Sequence, residues 1–321
     1  MRDSAGKLDA GAMGLLLVAA AGLVWGTIPL AVRAADGASV IKVFYRVFFG
    51  SAAVWAWMIV RGRTGEVTSL PGRKLLQIAG QGAILAVNWA LFLAALDMTN
   101  VATAELLGYT GPVFVALLAP LVTRERFDAR ILIPLAAAMG GVAVILIPQG
   151  VTLSGRSGLG ALLAAASALT FAAILLRSKN ILRGVTGMAL MAVEYPVASV
   201  LLVPFVAWAY AHGQGPSTAV AYGALAVLGI VHTALAGMVF LAGLRRVRAD
   251  RAALLTYAEP VSAVLFAAVF LAEPLSVWTI VGGAMVVAGG LAVARLGTPE
   301  APIEAIEAEE PQPAGAEAGQ A

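Results

Sequence analysis

The stretch LAALDMTNVATAELLGYTGPVFVALLAPLVTRE, residues 93–125, returns without a gap as LAGLRRVRADRAALLTYAEPVSAVLFAAVFLAE, residues 241–273. Tyr109 falls on Tyr257, Pro112 on Pro260, Glu125 on Glu273 and Leu106-Leu107 on Leu254-Leu255, and about a dozen positions are identical. Apolar helices match by chance, but not so readily at Tyr, Pro and Glu together. The chain entering the first copy carries no basic residue, whereas that entering the second carries Arg245, Arg246, Arg248 and Arg251. Basic residues stay on the cytoplasmic side of a membrane, so two similar helices entered from oppositely charged loops run in opposite directions. Many secondary transporters are built from such an inverted repeat.

Composition agrees with a membrane setting. Sixty percent of the chain is hydrophobic and 12% charged, with a mean hydropathy of +0.90, far from a soluble domain of this length. The net charge of +3 does not indicate a nucleic-acid partner, because Lys and Arg fall in short loops between apolar runs and not in one patch. Without cysteine there is no disulfide framework, thiol nucleophile or cysteine zinc site. The first apolar run is too long for a signal-peptide core and reads as a retained helix.

Polar breaks divide the chain into ten apolar runs near 13–33, 39–60, 74–97, 101–123, 128–147, 158–177, 187–211, 219–243, 251–272 and 277–296, each about long enough to cross a bilayer, which takes ~20 helical residues. With a cytoplasmic N-terminus, about 17 of the 21 basic residues lie on the cytoplasmic side; only Arg33 and Arg156 lie in external loops, and Lys42 and Arg46 lie within the second helix. An even count puts both termini in the cytoplasm. The expected fold is therefore an all-α integral membrane protein with ten transmembrane helices as two inverted five-helix repeats. Residues 1–12 form a cytoplasmic N-terminus, 13–147 and 157–296 the repeats, 148–156 an external linker, and 297–321 a disordered acidic cytoplasmic tail.

The five-plus-five pattern resembles the drug/metabolite transporter superfamily, in particular its EamA-like branch. The resemblance rests on Trp25-Gly26 and Pro29 in the first helix, Arg46 of Phe44-Tyr45-Arg46 in the second and Leu93-Ala94-Ala95-Leu96 before the fourth. Pro112-Val113-Phe114 and Glu125 complete it, with Tyr257, Pro260 and Glu273 repeating the pattern. It implies a cell-membrane permease for amino acids, metabolites or organic cations, mostly outward-directed, with a central cavity open alternately to either side. The substrate does not transfer with the resemblance.

Ionisable groups inside a membrane each cost about 2.5–3.5 kcal/mol at a helix centre and should face a cavity or a partner. Arg46 and Glu105 lie at similar depths from the external side, so they are expected to pair, either as a gate or substrate clamp or as a static ion pair between two helices. Lys42 sits at the interface and snorkels. Glu194 and Glu259 enter from the cytoplasmic side and are candidates for a proton or a cationic substrate group. His232, near the middle of the eighth helix, either relays protons or bonds a neighbouring helix.

Trp25, Asn88, Tyr109 and Tyr257 are placed by depth in the cavity, so the candidate substrate site is Trp25, Arg46, Asn88, Glu105, Tyr109, His232, Tyr257 and Glu259. Gly22 and Gly26 read as a packing surface ahead of Pro29, and Pro112 and Pro260 as matched interruptions pointing to the site. Glu125 and Glu273 are expected to cap the helices that follow them, the fifth and tenth. Gly140-Gly141, Gly282-Gly283 and Gly289-Gly290 are packing surfaces, within the chain or for a homodimer.

These features suggest a secondary transporter of the inner membrane, exporting amino acids or related metabolites by alternating access through a midplane cavity, with proton coupling open. Its partners are a small-molecule solute and the lipid bilayer, with no cofactor or metal. Efflux of hydrophobic organic cations is the alternative within transport. A non-transporting sensor or scaffold is the alternative outside it. An enzyme is disfavoured by the absence of a His-Glu metal spacing, a Ser-His-Asp set or a loop long enough for a catalytic domain.

Overall fold

A computed structural model describes residues 10–272 and 275–296. The first nine residues, Glu273 with its expected capping role, and the acidic tail lie outside the described residues. The ten apolar runs are ten helices. These are α1 (Ala10–Ala34), α2 (Ser39–Val60), α3 (Gly72–Met98), α4 (Val101–Val122), α5 (Ala129–Gln149), α6 (Gly155–Ile181), α7 (Gly187–Ala211), α8 (Ala219–Leu244), α9 (Ala249–Phe270) and α10 (Val277–Arg295). In hydrocarbon every backbone polar group has to be satisfied internally, and a helix does this within one segment. Where helices begin, side chains take over: Asn100, Thr186, Thr218 and Ser276 accept the amides of Thr103, Ala189, Ala221 and Thr279 at the starts of α4, α7, α8 and α10.

Three helices are interrupted, each just before a proline. The breaks fall at Gly26-Thr27 in α1, Tyr109-Thr110 in α4 and Thr256-Tyr257 in α9, ahead of Pro29, Pro112 and Pro260. Proline has no N–H and its ring crowds the carbonyl four residues back. At each break a threonine hydroxyl donates to the carbonyl three residues earlier: Thr27 to Val24 (2.8 Å), Thr110 to Leu107 (2.6 Å) and Thr256 to Ala253 (2.6 Å). Proline alone does not interrupt a helix here, since Pro120 sits inside the continuous second segment of α4 and Pro196 and Pro204 inside unbroken α7.

The packing pairs reproduce the repeat. α2 packs on α7, α4 on α9 and α5 on α10, each joining a helix to its counterpart. The contact of α1 with α8 is matched by α6 with α3, α2 with α8 by α7 with α3, and α1 with α9 by α6 with α4. Exchanging the halves α1–α5 and α6–α10 thus returns the same arrangement, and an odd number of helices per half inverts one relative to the other.

Glycine sets the closest approaches. A methyl group on Gly141 would strike the Gly282 carbonyl, one on Gly282 the Gly141 carbonyl, and one on Gly289 the Pro134 carbonyl, all in the α5–α10 seam. These glycine surfaces are therefore used within the chain. Gly22 and Gly26 similarly admit α9 through Ala258 and Ser262. The outer surface is apolar, with Leu121, Ile133, Leu162, Val200 and Val269 exposed, as a lipid-facing surface requires.

Candidate functional site

The broken helices α4 and α9 cross at their breaks. The Tyr257 hydroxyl donates to the Tyr109 carbonyl at 2.7 Å, and the two rings lie 6.2 Å apart. Because these tyrosines are repeat mates, the contact sits on the pseudo-twofold axis. On the side facing the arginine-rich end, Gly111–Val122 packs along Ala249–Leu255; on the other side Val101–Gly108 and Ala258–Leu271 diverge. The diverging halves carry Glu105 and Glu259. Both carboxylates are densely surrounded by protein yet keep accessible surface, as does Arg46, and the charges of Arg46 and Glu105 both bear on Glu259, so the three lie together between the diverging halves. Neither carboxylate has a hydrogen bond or ion pair among the described residues.

Arg46 does not form the expected pair with Glu105. Its Nε donates to Thr233 Oγ1 at 2.8 Å, and its guanidinium lies 5.8 Å from the centroid of the Trp89 ring. The acid whose charge bears on Arg46 is Glu259, and that of Glu105 bears on Glu259 in turn. Similar depth put Arg46 and Glu105 at one level, but depth carries no information on direction, and the half of α4 bearing Glu105 swings away.

Residues 228–235 of α8 are wound as a π-helix, a form that frequently marks functional sites. Its carbonyls take side-chain donors. The Trp25 indole donates to the His232 carbonyl (2.8 Å), Tyr195 to the Thr233 carbonyl (3.3 Å) and the Thr233 hydroxyl to the Leu228 carbonyl (3.0 Å). The His232 ring is buried, with Nε2 2.7 Å from Thr27 Oγ1 and Nδ1 3.3 Å from the Val227 carbonyl. It joins α1 to α8 at the break in α1. Trp25 also packs on Phe240, with centroids 5.3 Å apart.

The structure thus gathers Arg46, Glu105, Tyr109 and Glu259 between the diverging halves, with Tyr257 buried beside them. Asn88 faces elsewhere: its amide donates to the Ser167 carbonyl (2.6 Å) and Thr170 Oγ1 (2.9 Å), joining α3 to α6. Glu194 is buried against α3 and α6 beside Gln81 and Arg177. Lys42 reaches the Val32 carbonyl near the helix end at 3.5 Å. Thr233, the Arg46–Trp89 stack and the π-turn were not found from sequence. Threonine beside each break was the unread signal for the interruptions.

The arginine-rich end is closed by buried charge. Both Glu125 carboxylate oxygens accept the Ala249 amide, at 3.1 and 3.2 Å, so Glu125 caps α9 in the other half and not the adjacent α5. Asp128 accepts the Arg130 amide at that adjacent start instead. Lys179 Nζ donates to the Leu244 and Val247 carbonyls (2.8 and 2.6 Å), and Arg248 binds Asp250 (2.8 Å) and the Arg126 carbonyl (2.7 Å). Arg251 lies 3.6 Å from Asp128. Burial pushes the Glu125 carboxyl up to about 7, with Asp250 acting in the same direction and Lys179, the Ala249 amide and Arg248 opposing. At the opposite end the links are mostly neutral: Thr99 Oγ1 to Ser157 Oγ (2.5 Å), the Thr152 amide to Thr103 Oγ1 (2.9 Å) and Asn100 to the Gly150 carbonyl.

A transporter described as uncharacterized, from Archaeoglobus fulgidus, is 28% identical over 276 residues, covering 84% of this chain and 92% of its own. A crystal structure shares the fold with a TM-score of 0.76 at 22% identity, covering 88% of this chain and 96% of that one. The family model described as the EamA-like transporter family matches twice, over residues 12–147 and 158–295, once in each five-helix half. This multi-pass membrane protein belongs to the EamA-like transporter family.

Proposed function

We propose that the protein is an inner-membrane secondary transporter that exports amino acids or similarly small zwitterionic metabolites by alternating access, with the arginine-rich end and both termini in the cytoplasm. The observation that carries this reading is the grouping, near the pseudo-axis, of Arg46 with Glu105 and Glu259, two carboxylates without a hydrogen bond or ion pair among the described residues. A zwitterion answers both signs, its carboxylate toward Arg46 and its ammonium toward Glu259 or Glu105, relieving groups that are costly to bury alone. Half-buried Trp89 and Tyr109 supply apolar walls. The divergence of α4 and α9 away from the arginine-rich end corresponds to an outward-facing state.

Efflux of organic cations is the second reading, favoured by one feature: Arg46 is already engaged by Thr233 and Trp89 while both carboxylates are free to meet a positive charge. Counterflow in liposomes with labelled amino acids, nucleosides and organic cations, with and without a pH gradient, separates the two. Export of zwitterions predicts saturable amino-acid counterflow that falls at least about tenfold in Glu259→Gln and Arg46→Gln, the loss of one oriented charge contact. Cation transport that needs only the carboxylates overturns the amino-acid reading. Silence across the panel overturns transport of all three classes.

A further inference from the structure

We infer that the buried charge cluster joining residues 123–128, Lys179 and residues 244–251 is the cytoplasmic gate of the transport cycle, with Glu125 as its latch on α9. This rests on the alternating-access reading above, and its location is the first argument. Glu125 belongs to the first half and grips the leading amide of a helix in the second; Lys179 on α6 grips the last carbonyls of α8; and Arg248 reaches back to the Arg126 carbonyl. The Glu125 and Arg248 bonds join segments that must part for the cytoplasmic halves of α4 and α9 to separate, and Lys179 pulls on α8 from the end of α6 that also holds the Val122 and Thr123 carbonyls closing α4, through Asn180 and Arg183.

The second argument is the chemistry of the seam. An apolar seam resists opening to water, whereas separated carboxylates and guanidinium groups are rehydrated, which offsets the bonds lost. The third is a link left loose. Arg251 and Asp128 stand 3.6 Å apart, and both Arg251 Nη atoms and Asp128 Oδ2 are buried without a hydrogen bond among the described residues. Buried donors and acceptors are costly to leave unmade, so this contact favours departure from the closed state and leaves Glu125 and Lys179 to hold it. The fourth is that the fold does not require the cluster. The repeat mates of Arg248, Asp250 and Arg251 are Asn100, Ala102 and Thr103, which build the same helix start at the other end without charge.

The chain has no cysteine, so single cysteines can report each side. Glu105 and Ala253 are repeat mates on the external and cytoplasmic sides of the tyrosine crossing; Glu105 keeps accessible surface and Ala253 is 0% exposed. Glu105→Cys and Ala253→Cys would be introduced separately and labelled with a membrane-impermeant maleimide, added outside right-side-out vesicles for the first and to inside-out vesicles for the second. With Glu125→Ala, labelling at position 253 is expected to rise about tenfold while labelling at position 105 falls, because one population shift drives both.

Glu125→Gln, labelled at pH 8, where the Glu125 carboxyl is ionised, keeps an acceptor for the Ala249 amide but loses the charge facing Lys179 and Arg248, and tests the same point if the alanine variant does not fold. It is expected to move both rates in the same directions by a smaller factor. Unchanged rates overturn the proposal, and so does a rise at position 253 without a fall at 105, which marks Glu125 as a structural cap only. The readout needs no substrate, so reciprocal labelling with silent liposomes would keep the gate and discard the solute assignment.

Discussion

The first turns of α4 and α9 are the same segment used twice, and they differ in what surrounds them. In α9 six consecutive residues, Ala249 to Leu254, are buried on every face, including Asp250 and Arg251. In α4 burial stops after Ala104, and Glu105 to Gly108 keep accessible surface. One backbone pattern therefore builds a seal at one end and an opening at the other. Symmetry of fold does not impose symmetry of conformation. The asymmetry is written in a few side chains, where Arg, Asp and Arg stand at one end and Asn, Ala and Thr at the other.

The comparison breaks most severely at Asp250. Its carboxylate accepts two bonds from Arg248 and the Arg251 amide, all within a buried cluster. Asp250→Ala gives α9 the residue that α4 has at the matching position, Ala102, but leaves Arg248 buried and short of its acid. Breaking such a pair costs about 3–5 kcal/mol, so a large drop in thermal unfolding temperature in detergent is expected. Thr103→Val, at the mate of Arg251, loses one hydrogen bond to Thr152 and should cost only about 1 kcal/mol. Comparable losses at the two positions would mean that the charged end is no more tightly held than the neutral one.

The helix pattern could be read before the structure because each helix must span a membrane, and apolar length and loop charge report that directly. Two of the three breaks, those in α4 and α9, were signalled by the matched Pro112 and Pro260. What could not be read were contacts that depend on direction around a helix axis. Arg46 and Glu105 share a depth but not a face, and Asn88, placed in the cavity by depth, turns to Ser167 and Thr170. The π-turn of α8 is stable because Trp25 and Tyr195 bond its carbonyls from two other helices, which no local pattern announces. Glu125 was matched to the helix following it in sequence, whereas the amide it holds is 124 positions away.

Proton linkage sharpens the comparison at a smaller scale. Burial holds the Glu125 carboxyl at about 7, above its ordinary 4.5, so between those values the folded protein keeps a proton that the unfolded chain releases. Stability from this group is complete below the unfolded value and is lost as pH rises through about 7, with a slope of at most about 1.4 kcal/mol per pH unit. The unfolding temperature should therefore fall between about pH 4.5 and 7 and level off above, and Glu125→Gln should flatten that fall. At the opposite end Asp36 behaves in the other sense. The Ser217 hydroxyl and amide donate to it and hold its carboxyl below 3.8, so its contribution is lost only on acidification through that lowered value, outside this window. An equal slope in Glu125→Gln would show that another group sets the response.

The smallest effect separates the two tyrosines on the axis. Sequence makes Tyr109 and Tyr257 equivalent, but their bonds are not: the Tyr257 hydroxyl donates to the Tyr109 carbonyl, and Tyr109 makes no matching bond back to Tyr257. Tyr257 is 0% exposed, whereas Tyr109 keeps accessible surface. Tyr257→Phe should cost about 1 kcal/mol of stability, the loss of one buried hydrogen bond, and Tyr109→Phe close to nothing. In transport the order should reverse, with Tyr109→Phe altering the half-saturating solute concentration because its side chain keeps accessible surface beside Glu105 and Glu259, the proposed solute site, and Tyr257→Phe leaving it unchanged. Equal behaviour in both assays would place the two hydroxyls in equivalent surroundings, as in an occluded state midway between the two openings. The inequality is what unequal burial of the two ends imposes on a symmetric pair: one tyrosine is enclosed and the other keeps surface.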